Sequence, residues 1–330
     1  MKFKPPLFLG KFREVLGFAL IFAAAIALSP SGAGGGNIFL QLDNLTDILR
    51  QQAEVGIIAL AMTLVIISGG IDLSVGSLLA FVASLAAMLL VKWQPGLGAG
   101  LHITVAVLAA LAAALFLGLL NGVVIARLRV QPFVVTLATM IGVRGLARWM
   151  TNNTNIDFGF GDNAAARFAD FFSDKVFVIG LWVAATAVFY VLLEFTVFGR
   201  HARAVGENEK TAGYTGLPIR RTKALVYSLC GLACGVAGLI HAARSYQGNP
   251  NDGMAYELDA IAAVVIGGTA LSGGKGSVLG TVVGALIMGI LTNILRLRLI
   301  DTNVEFMIKA VIIVAAVWLQ SGGKRRGEKA

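Results

Sequence analysis

Long apolar runs recur along the 330 residues of the chain, and they constrain its fold more than any other feature. A helix needs about 20 apolar residues to cross the hydrocarbon core of a bilayer. The runs predict ten crossings, at 15–28, 54–68, 72–91, 102–126, 131–150, 176–197, 222–243, 256–271, 277–295 and 303–320. We therefore expect an all-α, polytopic transmembrane helical bundle that forms one permease-like domain over 1–330.

Composition agrees with a membrane protein and excludes several other classes. Hydrophobic residues make up 57% of the chain and charged residues only 14%, whereas a soluble domain carries about a quarter charged residues. Ten helices of about 20 residues leave only short loops within this length. A soluble enzyme, a disulfide-rich secreted scaffold and a membrane protein with its own large ATPase domain are therefore excluded.

The distribution of charge predicts how the chain is oriented. The net charge is +9, and the basic residues cluster in 2–13, 127–129, 200–223 and 324–329. Basic loops favour the cytoplasmic side, so both termini, 1–14 and about 321–330, are expected in the cytoplasm and the acidic loop 151–175 outside. The exceptions to this pattern are Arg144, Arg148, Arg296 and Arg298. Membrane topology explains the positive charge without a nucleic acid partner, and we expect the first span to be retained, not cleaved as a signal peptide.

Two glycine-rich segments, 68–77 and 267–277, interrupt the apolar texture in nearly the same way. Each places a glycine pair after an aliphatic run and a Leu-Ser pair shortly afterwards. They are either unwound segments that line a pathway or tight turns between helices. Asp72 is costly within such apolar surroundings, and both a helix-capping role with Ser74 and a direct contact with substrate remain open.

No residue pattern predicts chemistry on this chain. The segment 274–277 resembles a phosphate-binding loop, but that motif requires glycine where Thr269 stands and serine or threonine where Gly276 stands. Cys230 and Cys234 lie four residues apart in an apolar stretch and are predicted to be packing residues. We therefore predict no catalytic residue, no metal site and no cofactor on this chain.

The segment 199–221 is unusually polar for a loop of this protein. Its middle is predicted to form a short helix along the membrane, capped by Asn208 and stopped by Gly216 and Pro218. Two interpretations remain open. The segment is either a docking surface for a soluble partner or a basic loop held to anionic lipid.

Four stretches, 68–77, 132–140, 206–217 and 257–269, resemble the signature stretches of ribose-type monosaccharide permeases, the membrane subunits of bacterial ABC importers. The resemblance covers about 45–320. It implies a permease of the bacterial cytoplasmic (inner) membrane that imports a pentose, a hexose or a related polyol and is not itself an enzyme. The implied partners are a second permease subunit, identical or related, a cytoplasmic ATP-binding subunit that carries ATP and Mg, and a periplasmic sugar-binding protein.

The resemblance also proposes site residues. Those expected on the translocation path or its hinges are Ser68, Gly69, Gly70, Asp72, Ser74, Asn121, Thr136, Gly267, Gly268, Thr269 and Ser272. Those expected to couple the chain to the ATP-binding subunit are Gly206, Glu207, Asn208 and Gly216. The alternative function, an ion-coupled secondary transporter, needs ionisable residues within the membrane, and Asp72 is expected to be the main candidate and to stand alone.

Overall fold

A computed structural model describes residues 8–32 and 35–327 and is almost entirely helical. The helices are α1 (Phe8–Leu28), α2 (Leu42–Ile67), α3 (Val75–Ala87, continued by a π-helical turn, Met88–Lys92), α4 (Ala99–Leu128), α5 (Pro132–Met150), α6 (Ala164–Ser173), α7 (Lys175–Phe195), α8 (Val197–Glu207), α9 (Glu209–Tyr214), α10 (Ile219–Ser245), α11 (Tyr256–Ile266), α12 (Val278–Leu297) and α13 (Thr302–Gly327). Two short strands, β1 (Ile156–Asp157) and β2 (Gln247–Gly248), pair antiparallel. The predicted all-α, polytopic bundle is confirmed.

Seven of the described helices are long and apolar enough to cross a membrane: α2, α3 with its π turn, α4, α5, α7, α10 and α12. The predicted count of ten is not confirmed. The span predicted over 256–271 is instead α11, whose 11 residues extend only about 16 Å against a core of about 30 Å. Of the terminal segments predicted to be cytoplasmic, residues 1–7 and 328–330 lie outside the described residues.

The polar start of α2 is the main departure from the predicted spans. The helix begins at Leu42 and not near residue 54, because its polar side chains are paired with neighbouring helices. Asp47 lies 2.9 Å from the Lys175 ammonium on α7. Asn44 exchanges side-chain hydrogen bonds with Asn293 on α12. These contacts satisfy groups that an isolated apolar span would exclude.

The bundle has two distinguishable ends. The α6 end carries α6, the β1–β2 pair and the start of α2, and the α8 end carries α8, α9 and the end of α2. α2 and α10 run through the centre and are largely buried. α4 and α10 approach so closely that a Cβ added to Gly231 would lie 2.9 Å from the Cα of Gly118. Small residues at this crossing allow the backbones to pack directly.

The four arginines that depart from the expected charge pattern all have protein partners at the α6 end. Arg144 donates to the Pro250 carbonyl at 2.8 Å, and Arg148 donates to the Asn251 side chain at 2.9 Å. Arg296 pairs with Glu305 at 3.7 Å, and Arg298 donates to the Leu28 carbonyl at 2.5 Å. Their positions therefore follow from contacts that join helix ends and loops.

Candidate functional site

The two glycine-rich segments form the same kind of helix ending. After α2, the amides of Gly69 and Gly70 donate at 3.0 Å to carbonyls three and five residues upstream, and after α11 those of Gly268 and Thr269 do the same at 2.9 and 3.1 Å. Gly69 and Gly268 adopt φ values of +83° and +82°, a left-handed conformation that glycine accepts without strain. This hydrogen-bond pattern is the Schellman motif. The repeated sequence therefore encodes matching turns that end α2 and α11.

Gly206 on α8 contacts the turn after α2 and, beyond the turn after α11, the loop residues Gly273 and Gly274. We call this arrangement the three-way junction: the end of α2, the end of α8 and the loop 267–277. The Gly274 amide donates to the carbonyl of Ile67 at 2.8 Å. A Cβ added to Gly206 would collide with the carbonyl oxygen of Ile67 and would lie 2.9 Å from the nitrogen of Gly274. The backbones of three separate segments therefore touch at a position where only glycine fits.

The predicted coupling residues divide between this junction and α9. Gly206 and Glu207 end α8, and the Glu207 side chain covers Gly274. The Asn208 side chain accepts the amide of Thr211 at 3.0 Å and so caps α9, while Gly216, with φ of +78°, lies just beyond its end. The predicted short helix and its Asn208 cap are confirmed. The sequence did not predict that α8 begins already at Val197.

Asp72 braces the turn that leads into α3. It is fully buried, and its Oδ1 accepts hydrogen bonds from the amide and the hydroxyl of Ser74, at 2.9 and 2.5 Å. Asn121 donates to the Ser74 hydroxyl at 3.2 Å, and Thr139 donates to Asn121 at 2.5 Å. One buried hydrogen-bond chain thus ties this turn to α4 and α5.

The other predicted path residues lie around the same two turns. The hydroxyl of Thr136 donates to the Ile71 carbonyl at 3.2 Å, and that of Ser68 donates back to its own helix at 2.8 Å. Thr269 is buried against Gly276, whereas Ser272 is exposed in the loop. Gly267 packs directly on the backbone of α12. The structure therefore gathers most of the predicted residues near the α8 end.

A second polar cluster, at the α6 end, escaped the sequence prediction. Glu54 is fully buried and contacts three groups: His241 at 2.9 Å, Arg244 at 3.1 Å and the Tyr256 hydroxyl at 2.9 Å. The second ring nitrogen of His241 lies 2.9 Å from Asp252. Desolvated charges persist in such surroundings only when they are paired and hydrogen-bonded.

Lys309 joins a further part of this cluster. Its ammonium lies 3.1 Å from Asp259 and 3.0 Å from Glu305, and Thr292 donates to Glu305 at 3.0 Å. The expectation that Asp72 stands alone was therefore wrong. Ionisable residues inside the predicted apolar spans, such as Glu54 within 54–68 and the Glu305 and Lys309 pair within 303–320, were the signal that could have revealed the cluster.

A cavity of about 390 Å³ adjoins these charges between α2, α10, α11, α12 and α13. Its lining is mainly polar and includes Gln52, Arg244, Tyr256, Asp259, Thr292 and Lys309. Cavities that hold small molecules span roughly 300–1,000 Å³. This one therefore has the size and the polarity of a site for a small hydrophilic molecule.

Comparison with known proteins identifies a family and several relatives of the chain. The chain matches, over residues 44–317, the family described as branched-chain amino acid transport system / permease component. It is 38% identical to the ribose import permease protein of Escherichia coli (strain K12), with 92% of each chain covered. It is 39% identical to the ribose import permease protein of Bacillus subtilis (strain 168), over 94% of this chain and 92% of that protein.

A third relative is named for a different sugar. The xylose transport system permease protein of Escherichia coli (strain K12) is 34% identical, with 87% of each chain covered. No solved structure matches the chain significantly.

Proposed function

The chain belongs to the branched-chain amino acid transport system / permease component family, as a ribose-type permease of ABC importers, and on that premise we propose that it carries a monosaccharide across the bacterial inner membrane. The observation that carries the proposal is identity of 38–39% to ribose import permeases, sustained over more than nine-tenths of the chain. Ribose and xylose, for which these relatives are named, are both five-carbon sugars. A pentose, with D-ribose first, is therefore the proposed substrate class.

The permease family implies ATP-binding and substrate-binding partners, and we propose where the first of these docks. α8 and α9 form a polar surface at the α8 end, with several basic side chains exposed. The end of α8 contacts the glycine turn after α2 and the loop that follows α11 at the three-way junction. A force applied to α8 by the ATP-binding subunit would therefore reach the end of α2 and the loop after α11 through direct backbone contacts.

We propose the other components of the transporter from the family resemblance. ATP and Mg are bound by the ATP-binding subunit, a periplasmic protein delivers the sugar, and a second permease subunit, a copy of this chain or a relative, completes the core. The α8 end faces the cytoplasm together with both termini, and the α6 end faces the periplasm. The cluster of basic residues in 200–223 supports this orientation.

Uptake into proteoliposomes tests the proposed function. The chain is reconstituted with its ATP-binding and sugar-binding partners, and uptake of labelled D-ribose, D-xylose, D-galactose and inositol is followed with each component omitted in turn. The expected result is uptake of one pentose that requires every component and ATP. Uptake by the chain alone under an ion gradient would contradict the proposal and would favour a secondary transporter.

A further inference from the structure

We propose that the polar cavity at the α6 end is a low-affinity binding site for one monosaccharide on the permease itself. This proposal rests on the proposed function and adds the position and the chemistry of a sugar site. The site lies between α2, α10, α11, α12 and α13, away from the three-way junction. None of its lining residues belongs to the resemblance-based set of path residues.

The strongest observation is a buried amide aimed into the cavity. Gln52 is only 8% exposed and lines the cavity, yet within the described residues its side chain makes no hydrogen bond to protein. A buried amide can donate twice and accept twice, and leaving it unpaired costs free energy. Adjacent hydroxyl groups of a sugar can satisfy an amide oxygen and an amide nitrogen together.

The charges around the cavity favour a neutral ligand. Arg244 pairs with Glu54, Lys309 pairs with Asp259, and Glu305 lies between Lys309 and Arg296. With Arg50 and Asp47, which also line the cavity, four cations and four carboxylates surround it, so the wall carries many donors and acceptors with little net charge. Apart from Arg50, which makes no ion pair among the described residues, the lining cations are already held by carboxylates. A polyol can hydrogen-bond to these groups while the pairs remain intact.

The volume of the cavity and the weak sugar affinity expected for it fit a site that holds the sugar during transport. A space of about 390 Å³ is at the lower end of small-molecule sites, which suits one pentose with a few waters. Tyr256 provides the single aromatic ring of the lining, so broad stacking on a sugar face is absent from this site. Weak binding is what a path requires, since the ligand must leave as readily as it enters.

Gly289 offers a way to fill the cavity without removing a charge. It lies on α12 in the cavity wall, and a Cβ built there would lie 3.2 Å from the Gln52 side chain. Gly289→Leu therefore places a side chain in the proposed sugar volume. Gly180 on α7 is the matched control, because a Cβ there meets nothing within 4 Å and Gly180 does not line the cavity.

Saturation-transfer difference NMR tests the site directly, with the purified chain in lipid nanodiscs and D-ribose as the probe. Wild-type and Gly180→Leu chains are expected to transfer saturation to ribose, whereas Gly289→Leu loses at least about tenfold in apparent affinity. Gln52→Ala, which adds no volume and breaks no protein hydrogen bond, is expected to weaken binding as well. It therefore reports on the site even if Gly289→Leu fails to fold.

The outcomes distinguish failure of the proposed site from failure of the proposed function. Absence of transfer to the wild-type chain in a preparation that imports ribose with its partners would overturn the site and leave the importer in place. Equal transfer in wild type and in Gly289→Leu would also overturn it. Failure of the complete system to import any monosaccharide would instead contradict the proposed function.

Discussion

At the scale of single residues, the buried polar groups near the α8 end stabilise the backbone conformation of a turn. Asp72 accepts two hydrogen bonds from Ser74, and Asn121 extends that chain to α4. Both hydrogen bonds from Ser74 reach Oδ1, so this oxygen of the carboxylate braces a turn. A buried acceptor of this kind is costly to remove, because its former donors are left unpaired.

Replacement of Asp72 separates this bracing role from a role of its negative charge. Asp72→Asn keeps an oxygen acceptor for Ser74 and is expected to retain most transport, whereas Asp72→Ala is expected to lose about 1–3 kcal/mol of stability. The thermal unfolding temperature and ribose uptake of both variants provide the measurement. Normal stability of Asp72→Asn with loss of transport would show that the charge itself serves the path or a hinge.

At the scale of elements, the two short helices α8 and α9 are specified by ordinary local signals. Thr196 caps α8 through the amide of Gly199 at 3.2 Å, and Asn208 caps α9 through the amide of Thr211 at 3.0 Å. The two helices share the Asn208 position as an end and a start. Asn208 therefore supports the start of α9, and the ion pair of Glu209 with Lys223 at 2.7 Å ties α9 to α10.

Removal of that cap is expected to weaken partner docking. Asn208→Ala should cost about 1 kcal/mol in the local stability of α9, whereas Asn208→Ser keeps a capping oxygen. Affinity for the ATP-binding subunit, measured by pull-down and by titration, should fall for the alanine variant and stay near wild type for the serine variant. Equal affinities for all three chains would remove α9 from the docking surface.

The position of α13 depends on a buried ion pair. Lys309→Met would leave Asp259 and Glu305 facing each other without their shared cation, so we expect a loss of about 3–5 kcal/mol. Thermal unfolding of the purified chain measures this loss. Lys210→Met on the exposed surface of α9 is the control and should leave the unfolding temperature unchanged. An equal unfolding temperature for Lys309→Met would show that the pair adds no stability.

The sequence allowed prediction of the helices and turns that local residue patterns determine. Apolar runs specified the helical bundle, and glycine pairs specified the turn after Ile67 and the one after Ile266. It did not reveal contacts between distant parts of the chain, such as Glu54 with His241, which lie 187 residues apart. Nor could it reveal that Gly206 fits between the turn after α2 and the loop after α11, because that requires the packed arrangement of three segments.

At the scale of the whole molecule, continuous helices connect the cavity with the three-way junction. α2 carries Gln52 at the cavity and Ile67 at the junction, about 22 Å apart along the helix. α11 likewise runs from Asp259 in the cavity wall to the glycine turn. A rigid helix can transmit a shift from one end to the other, so we expect the two sites to be coupled through α2 and α11.

The orientation of the bundle can be tested with two introduced cysteines. Phe160 is 90% exposed at the α6 end and Tyr214 is 89% exposed at the α8 end, while the native Cys230 and Cys234 are buried. In intact spheroplasts, a membrane-impermeant maleimide should label Phe160→Cys and should label Tyr214→Cys only after the membrane is opened. The reverse labelling pattern would invert the proposed topology.

We propose that the three-way junction couples ATP hydrolysis to sugar movement, and a matched pair of glycine substitutions tests this most directly. A Cβ at Gly206 collides with the carbonyl of Ile67, whereas a Cβ at Gly213, on the neighbouring helix α9, meets only Ile219 at 3.5 Å. In a helix, glycine to alanine is otherwise favourable by about 1 kcal/mol. Any specific loss in Gly206→Ala therefore reports on the junction.

The measurement is the ratio of labelled ribose taken up to ATP hydrolysed in proteoliposomes that contain all partners. Gly213→Ala is expected to keep the wild-type ratio. Gly206→Ala is expected to hydrolyse ATP with its partners still assembled while the ratio falls at least about tenfold, because the force on α8 no longer reaches the turn after α2 and the loop after α11. An unchanged ratio in an assembled Gly206→Ala complex would contradict the account.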